Sequence, residues 1–195
     1  MLRTLRPALV VFVVLTLLTG FVYPLLITGL AQLTMPWQAH GSVIEQQGRS
    51  VGSTLIGQCA SAAGDFWGRP SATTPQPCNG LASGGSNLGP NNPAQLAAVK
   101  SNLDALRAAD PDNKAAVPVD LVTASASGLD PEISLAAALY QRDRVARARK
   151  LDPALVQALI ERHASRPLLG LFGQPRVHVL ELNLDLDRLS ASSQH

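Results

Sequence analysis

The sequence predicts a small mixed α+β (or α/β) domain behind a single N-terminal membrane-spanning helix. Three observations lead there. Ala8 to Leu33 contains no charged residue. Residues 93 to 164 place apolar side chains at helical spacing, punctuated by Asn-Pro and Asp-Pro pairs. From His178 onward, leucines alternate with polar residues, the period of a half-buried strand. A chain of 195 residues holds one domain and little more.

The uncharged stretch spans 26 residues, sixteen of them Leu, Ile, Val or Phe. As a helix it would be about 39 Å long, against a hydrocarbon core of about 30 Å. Those sixteen side chains favour insertion by roughly 5–10 kcal/mol as an upper bound. The apolar run exceeds that of a signal peptide and no small-x-small cleavage site follows at once, so a retained anchor is expected. Pro24 removes one backbone hydrogen bond late in the span. Gly20 and Gly29 allow close approach of a neighbouring helix, although ordinary tolerance of these residues in spanning helices explains them equally well. Arg3 and Arg6 precede the span, and no Lys or Arg follows it until Arg49. Positive charge stays inside. The expected layout is a cytoplasmic N-terminus (1–7), a transmembrane helix (8–33) and a periplasmic or extracellular domain (34–195) on the inner (plasma) membrane. Trp37 falls where an interfacial anchor belongs.

Beyond the span, residues 34–92 are rich in Gly, Ser, Pro, Asn and Gln, which predicts loops and short strands, Ser53 to Ile56 among them. An oxidising exterior permits a disulfide between Cys59 and Cys78, worth about 3 kcal/mol for a loop of this length. Two unrelated thiols are the alternative, and the absence of C-x-x-C spacing disfavours metal or redox chemistry. Asn92-Pro93 opens a helix with Leu96, Val99, Leu103 and Leu106 on one face, ending near Asp110-Pro111. Val117 to Thr123 reads as a strand. Leu-Asp-Pro occurs at 129–131 and 151–153, predicting helices over 131–149 and 153–164 capped by Asp130 and Asp152. Arg142, Arg144, Arg147, Arg149 and Lys150 crowd the end of the first. They complement the helix dipole on a solvated face, or they dock an acidic partner or lipid head groups. The alternation from His178 through Leu186 predicts a C-terminal β-strand.

The chemistry is sparse. Net charge is +2 and aromatics are 4%, which gives no footing for nucleic acid. Gly84 to Leu88 departs from the G-x-S-x-G nucleophile elbow, and there is no P-loop. His40, His163, His178 and His195 show no metal-ligand spacing, and His178 is expected to be structural. No catalytic or metal residue is expected.

Several stretches carry a resemblance. They are Asp65-Phe66-Trp67-Gly68-Arg69-Pro70-Ser71-Ala72-Thr73, then ASGGSNLGPNN from Ala82, Pro118 to Ser125, Ser127 to Pro131, Arg144-Val145-Ala146, and Gly173 to Asn183. Behind one spanning helix, this ordered set resembles the C subunit of the bacterial potassium-transporting Kdp P-type ATPase (the KdpC family), over nearly the whole chain. The resemblance implies a non-catalytic subunit of an ATP-driven high-affinity potassium uptake pump. Its partners would be a potassium-channel-like subunit, an ATP-hydrolysing subunit and membrane lipid. It would support complex assembly and act as a catalytic chaperone raising the ATP affinity of the hydrolysing subunit. The cysteine pair gains nothing from the resemblance.

That chaperone role directs attention to Ser83, Gly84, Gly85, Ser86 and Asn87. Leu81 to Ser86 resembles the LSGGQ signature of ABC transporters, with Ser86 in place of Gln. Backbone N–H groups beside the helix at Asn92 favour an anion, so these five residues are the candidate ATP or partner loop. Any ATP contact would be transient, with no stably held cofactor. Topology argues otherwise, since the loop lies outside and ATP inside. The alternative function is an extracytoplasmic structural or gating cap at the potassium entrance, without nucleotide contact. On that reading Gly84 and Gly85 supply positive φ in a turn that seats the Asn92 helix.

Overall fold

The computed structural model describes residues 2–167 and 173–192. The chain divides into two compact units, Met1–Val51 and Gly52–His195.

The first unit is dominated by the apolar helix. α1 (Leu2–Leu17) runs through a π-turn (Leu18–Val22) into α2 (Tyr23–Thr34), and Thr4–Thr34 is long and apolar enough to cross a membrane. The π-turn has a local cause. Pro24 has no N–H to donate, and immediately before it Tyr23 N–H reaches back five residues to Leu18 O. The Thr19 hydroxyl donates to Leu15 O at 2.7 Å, supplying an extra donor beside the irregular turn. After a short α3 (Pro36–Ala39), Trp37 donates its indole N–H to Val43 O at 2.9 Å. A hairpin follows, β1 (Val43–Gln46) and β2 (Arg49–Ser53). Its two-residue loop, Gln47-Gly48, has positive φ at both positions, the geometry that matches strand twist. Ser53 to Ile56 forms only an isolated bridge, not the expected strand.

The second unit packs helices onto a small sheet. α4 (Pro93–Ala109) is capped as expected by Asn92, whose side chain accepts from Ala94 N–H. Leu106 is buried on it while Leu96 stays exposed. Strands β3 (Glu132–Ser134), β4 (Ala164–Ser165) and β5 (Arg176–His178) form an antiparallel sheet of order β3-β5-β4. Fully buried Val177 lies between Ile133 and Ala164 at its centre. α5 (Leu135–Arg149), α6 (Pro153–His163) and α7 (Val179–Ser192) pack against β5, α5 on α6 and α6 on α7. Phe66, Ile133, Val145, Val156, Ile160, Leu182 and Leu186 fill the core.

Four local expectations are corrected. The chain from Val179 is a helix, and strand pairing stops at His178. Val179, Leu182, Leu186 and half-buried Leu189 recur at helical spacing, and Leu182 and Leu186 belong to both periods. Val117 to Thr123 holds a 3₁₀ turn at Val119–Leu121 instead of a strand. That turn lets Asp120 accept from Ser134 N–H at 2.8 Å and from its hydroxyl at 3.2 Å. The two Leu-Asp-Pro motifs diverge. Asp152 caps α6 through Ala154 N–H at 2.8 Å, whereas Glu132–Ser134 finds a strand partner in β5 and α5 is capped by Ser134. The basic cluster is only in part a solvated face: Arg147 and Arg149 lie in the last turn of α5, as dipole complementation expects, and Arg147 and Lys150 are exposed. Arg144 is buried, and Arg142, Arg147 and Arg149 pair with Asp143, Asp110, and Asp65 plus Asp187 respectively.

Candidate functional site

The segment Asp65–Thr73 has no regular structure, so its backbone groups need side-chain partners. Two amides supply them. Asn183 of α7 accepts from Phe66 N–H at 2.8 Å and donates to Phe66 O at 3.0 Å. Gln141 of α5 accepts from Trp67 N–H at 2.8 Å and donates to Trp67 O at 3.0 Å. Each amide does what a neighbouring strand would do. Arg144 locks the arrangement. It donates to Ala63 O at 2.5 Å, to Asp65 O at 3.0 Å and to Gln141 Oε1 at 2.7 Å, and its guanidinium lies 4.6 Å from the Trp67 ring centroid. Burial pushes its pKa below the ordinary value, yet no accessible pH removes an arginine's charge.

Beyond Pro70 the backbone is braced through hydroxyls. Cys78 N–H donates to Ser71 Oγ at 2.9 Å, and Asn79 N–H to Thr73 Oγ1 at 3.0 Å. Cys59 and Cys78 form a disulfide, which settles the open alternative. The candidate loop follows. Ser83 Oγ and Gly84 N–H both donate to Ser127 O, at 3.0 and 2.8 Å. Gly84 and Gly85 do not adopt positive φ, contrary to expectation; Asn87 does, at 53°. The reason for Gly85 is proximity, since a Cβ there would sit 2.7 Å from Ala126 O. Gly128, at φ +67°, is close in turn to Gly84 O, 2.7 Å from where its Cβ would sit. Ser86 and Asn87 are exposed. The five residues thus form one loop seated on Ala126–Gly128.

A separate cavity of about 520 Å³ opens beside β3. Arg69, Asp120, Asp130, Glu132 and Arg176 line it, with Arg69 paired to Asp130 at 3.2 Å and Arg176 to Glu132 at 2.8 Å. His178 is structural, as expected: its Nε2 donates to Thr54 O at 2.9 Å, and Nδ1 accepts from Glu181 N–H at 3.3 Å. Among the described residues no group of three His, Cys, Asp or Glu side chains is placed to hold a metal. Sequence reading missed Gln141, Asn183 and the burial of Arg144. The available signal was polar side chains on apolar stripes: Gln141 and Arg144 among Ala137, Ala138 and Val145 on α5, and Asn183 among Val179, Leu182 and Leu186 on α7.

The fold is thus a helix long and apolar enough to cross a membrane, followed in the chain by a small α+β domain, the layout of a membrane-associated subunit. Residues 5–188 match the family described as KdpC: K+-transporting ATPase, c chain, and the chain belongs to it. The "Potassium-transporting ATPase KdpC subunit" of Polaromonas naphthalenivorans (strain CJ2) is 65% identical over 185 residues, 95% of this chain and 94% of that relative. The subunits of the same name from Janthinobacterium sp. (strain Marseille) and Sorangium cellulosum (strain So ce56) are 60% and 62% identical, covering 95% and 96% of this chain and 98% of each relative. This chain is accordingly an accessory subunit of a potassium pump.

Proposed function

We propose that the chain is a non-catalytic, single-pass assembly subunit whose Gly52–His195 domain lies outside the cytoplasm, and that it touches no nucleotide. Its partners are the potassium-pathway and ATP-hydrolysing subunits, and any gain in ATP affinity passes through subunit contacts. The observation that carries this reading is the seating of the candidate loop: Ser83 Oγ and Gly84 N–H are both committed to Ser127 O. A phosphate grip needs those donors free. The disulfide supports the same placement, because such bonds persist in oxidising compartments.

The test has two arms. After mild reduction of intact cells with a permeabilised outer barrier, a membrane-impermeant thiol reagent should label Cys59, which is exposed. Protection until the inner membrane is opened would reverse the placement. In the purified pump, Ser83→Ala should leave the ATP KM unchanged; a rise of tenfold or more would restore the nucleotide reading.

A further inference from the structure

Among the described residues three buried side-chain atoms have no hydrogen-bond partner: Arg69 Nε, Asp110 Oδ2 and the Tyr140 hydroxyl. The last two stand close enough for the Asp110 charge to disfavour ionisation of the hydroxyl. Asp110 is only 3% exposed, and its other oxygen is paired with Arg147. One orphan is an acceptor without a donor, the other a hydroxyl without an acceptor. A buried polar group left in that state costs about 1–3 kcal/mol.

Tyr140, on α5, lines a cavity of about 420 Å³. Arg107 of α4 and Lys114 of the following loop line it too, with Pro111, Asn113 and Ala115. The wall therefore carries two cations and no carboxylate. Asp112, in the same loop, is exposed and does not line it. Arg107 makes no ion pair or side-chain hydrogen bond among the described residues. Lys114 spends one donor, on Pro111 O at 2.8 Å. The frame is fixed: Asn113 Nδ2 donates to Tyr140 O at 3.0 Å, and Ala115 N–H donates to Asn113 Oδ1 at 3.0 Å. Donors held before binding lose little entropy on binding. Burial first, and Asp110 after it, push the Tyr140 pKa above its ordinary value, with Arg107 opposing, so the phenol keeps its proton.

An occupant that suits this set is negatively charged, accepts from Arg107, Lys114 and Tyr140, and still has a hydrogen to give Asp110 Oδ2. A carboxylate or sulfate ion at neutral pH has none, and would set an oxygen against the Asp110 carboxylate. Water has hydrogens but no charge for the two cations. Inorganic phosphate keeps at least one P–O–H at neutral pH and meets every requirement. We propose that this cavity binds hydrogen phosphate, with Arg107 and Lys114 meeting its charge, the Tyr140 hydroxyl donating to one oxygen and its own P–O–H donating to Asp110 Oδ2. Arg107 and Lys114 are exposed, so their side chains rotate rapidly and give access to the covered pair. The bound ion ties α4, the loop after it and α5 together. The site is separate from Ser83–Asn87 and depends on no other subunit.

The experiment is isothermal titration of the full chain in detergent at about pH 7 and equal ionic strength. The probes are inorganic phosphate, sulfate and glycerophosphoglycerol, a soluble lipid-headgroup diester without a P–O–H. Phosphate should bind saturably, and the other two at least about tenfold more weakly, the worth of one charge-assisted hydrogen bond. Arg107→Gln and Lys114→Gln should each weaken phosphate at least about fivefold with an unchanged melting temperature. Tyr140→Phe should weaken it by a similar factor. Asp110→Asn should bring sulfate within about twofold of phosphate; should that variant not fold, the comparison on the unmodified chain decides. Equal binding of phosphate and sulfate marks an adventitious ion only and overturns the proposal. A diester that binds as tightly as phosphate assigns the cavity to lipid head groups and overturns it too. So does the absence of saturable phosphate binding, or an Arg107→Gln chain that binds phosphate as before.

Discussion

Replacing Arg144 with Met should cost the second unit about 2.5–8 kcal/mol. The figure follows from what the guanidinium leaves behind. Gln141 Oε1 is buried and loses one of its two donors, a cost of about 1–3 kcal/mol. Ala63 O and Asp65 O can regain water, because their residues are exposed and half-exposed, so each lost bond counts for about 0.5–1.5 kcal/mol. The Trp67 stacking adds about 0.5–2 kcal/mol. Methionine keeps most of the apolar stem, which limits the cavity contribution. The assay is urea unfolding of the full chain in detergent, followed by Trp fluorescence, with Arg162→Met as comparison. Arg162 is exposed and shares Asp185 with two other partners, so its loss should cost under about 1 kcal/mol. An Arg144→Met loss no larger than that of Arg162→Met would refute the idea that this guanidinium locks the Asp65–Thr73 segment.

Reduction of Cys59–Cys78 should destabilise the same unit by about 3 kcal/mol, since it releases a closed loop with a sequence separation of 19; equal melting temperatures with and without reductant would contradict this. Gly85→Ala should cost about 1–3 kcal/mol by driving a methyl against Ala126 O, whereas Gly84→Ala, with open space around it, should cost under about 1 kcal/mol; thermal melts of the pair check the contrast. Asp185 titrates below the ordinary carboxylate value. Burial is the largest single influence and opposes ionisation, but the hydrogen bond and charge of His163 together with Arg188 outweigh it. Its contribution is therefore fully present above about pH 4 and lost as pH falls through the lowered folded value. Asp185→Asn should flatten that acid limb, measured as stability against pH; an unchanged limb would remove Asp185 as its source.

The long apolar helix, α4 and α6 were legible because each is set by local chemistry: an uncharged run, an Asn-Pro cap, an Asp-Pro cap. The misreadings share a different cause. Glu132–Ser134 becomes a strand only because Arg176–His178, more than forty residues on, pairs with it. The leucines from 180 to 186 alternate, yet only the second-layer contacts of Leu182 and Leu186 decide between helix and strand. The arginine cluster misled for the same reason: partners such as Ala63 O and Asp110 lie far away in sequence. The candidate loop was located correctly as a loop, but the reason for Gly85 could not be read, because Ala126 arrives from another part of the chain.

The cysteines, the gripped segment and the turn at Leu81 bear on one another. A bridge between Cys59 and Cys78 encloses the whole Asp65–Thr73 segment and ends one residue before Asn79, which shapes the turn under Leu81. The staple thus joins the part of the chain gripped by α5 and α7 to the part offered to solvent. Opening the bridge should therefore loosen the turn at Asn79–Ala82 more than the segment at Asp65–Thr73, which Gln141, Asn183 and Arg144 still hold. Amide hydrogen exchange of the oxidised and reduced chains checks this, and equal losses of protection in the two segments would refute it.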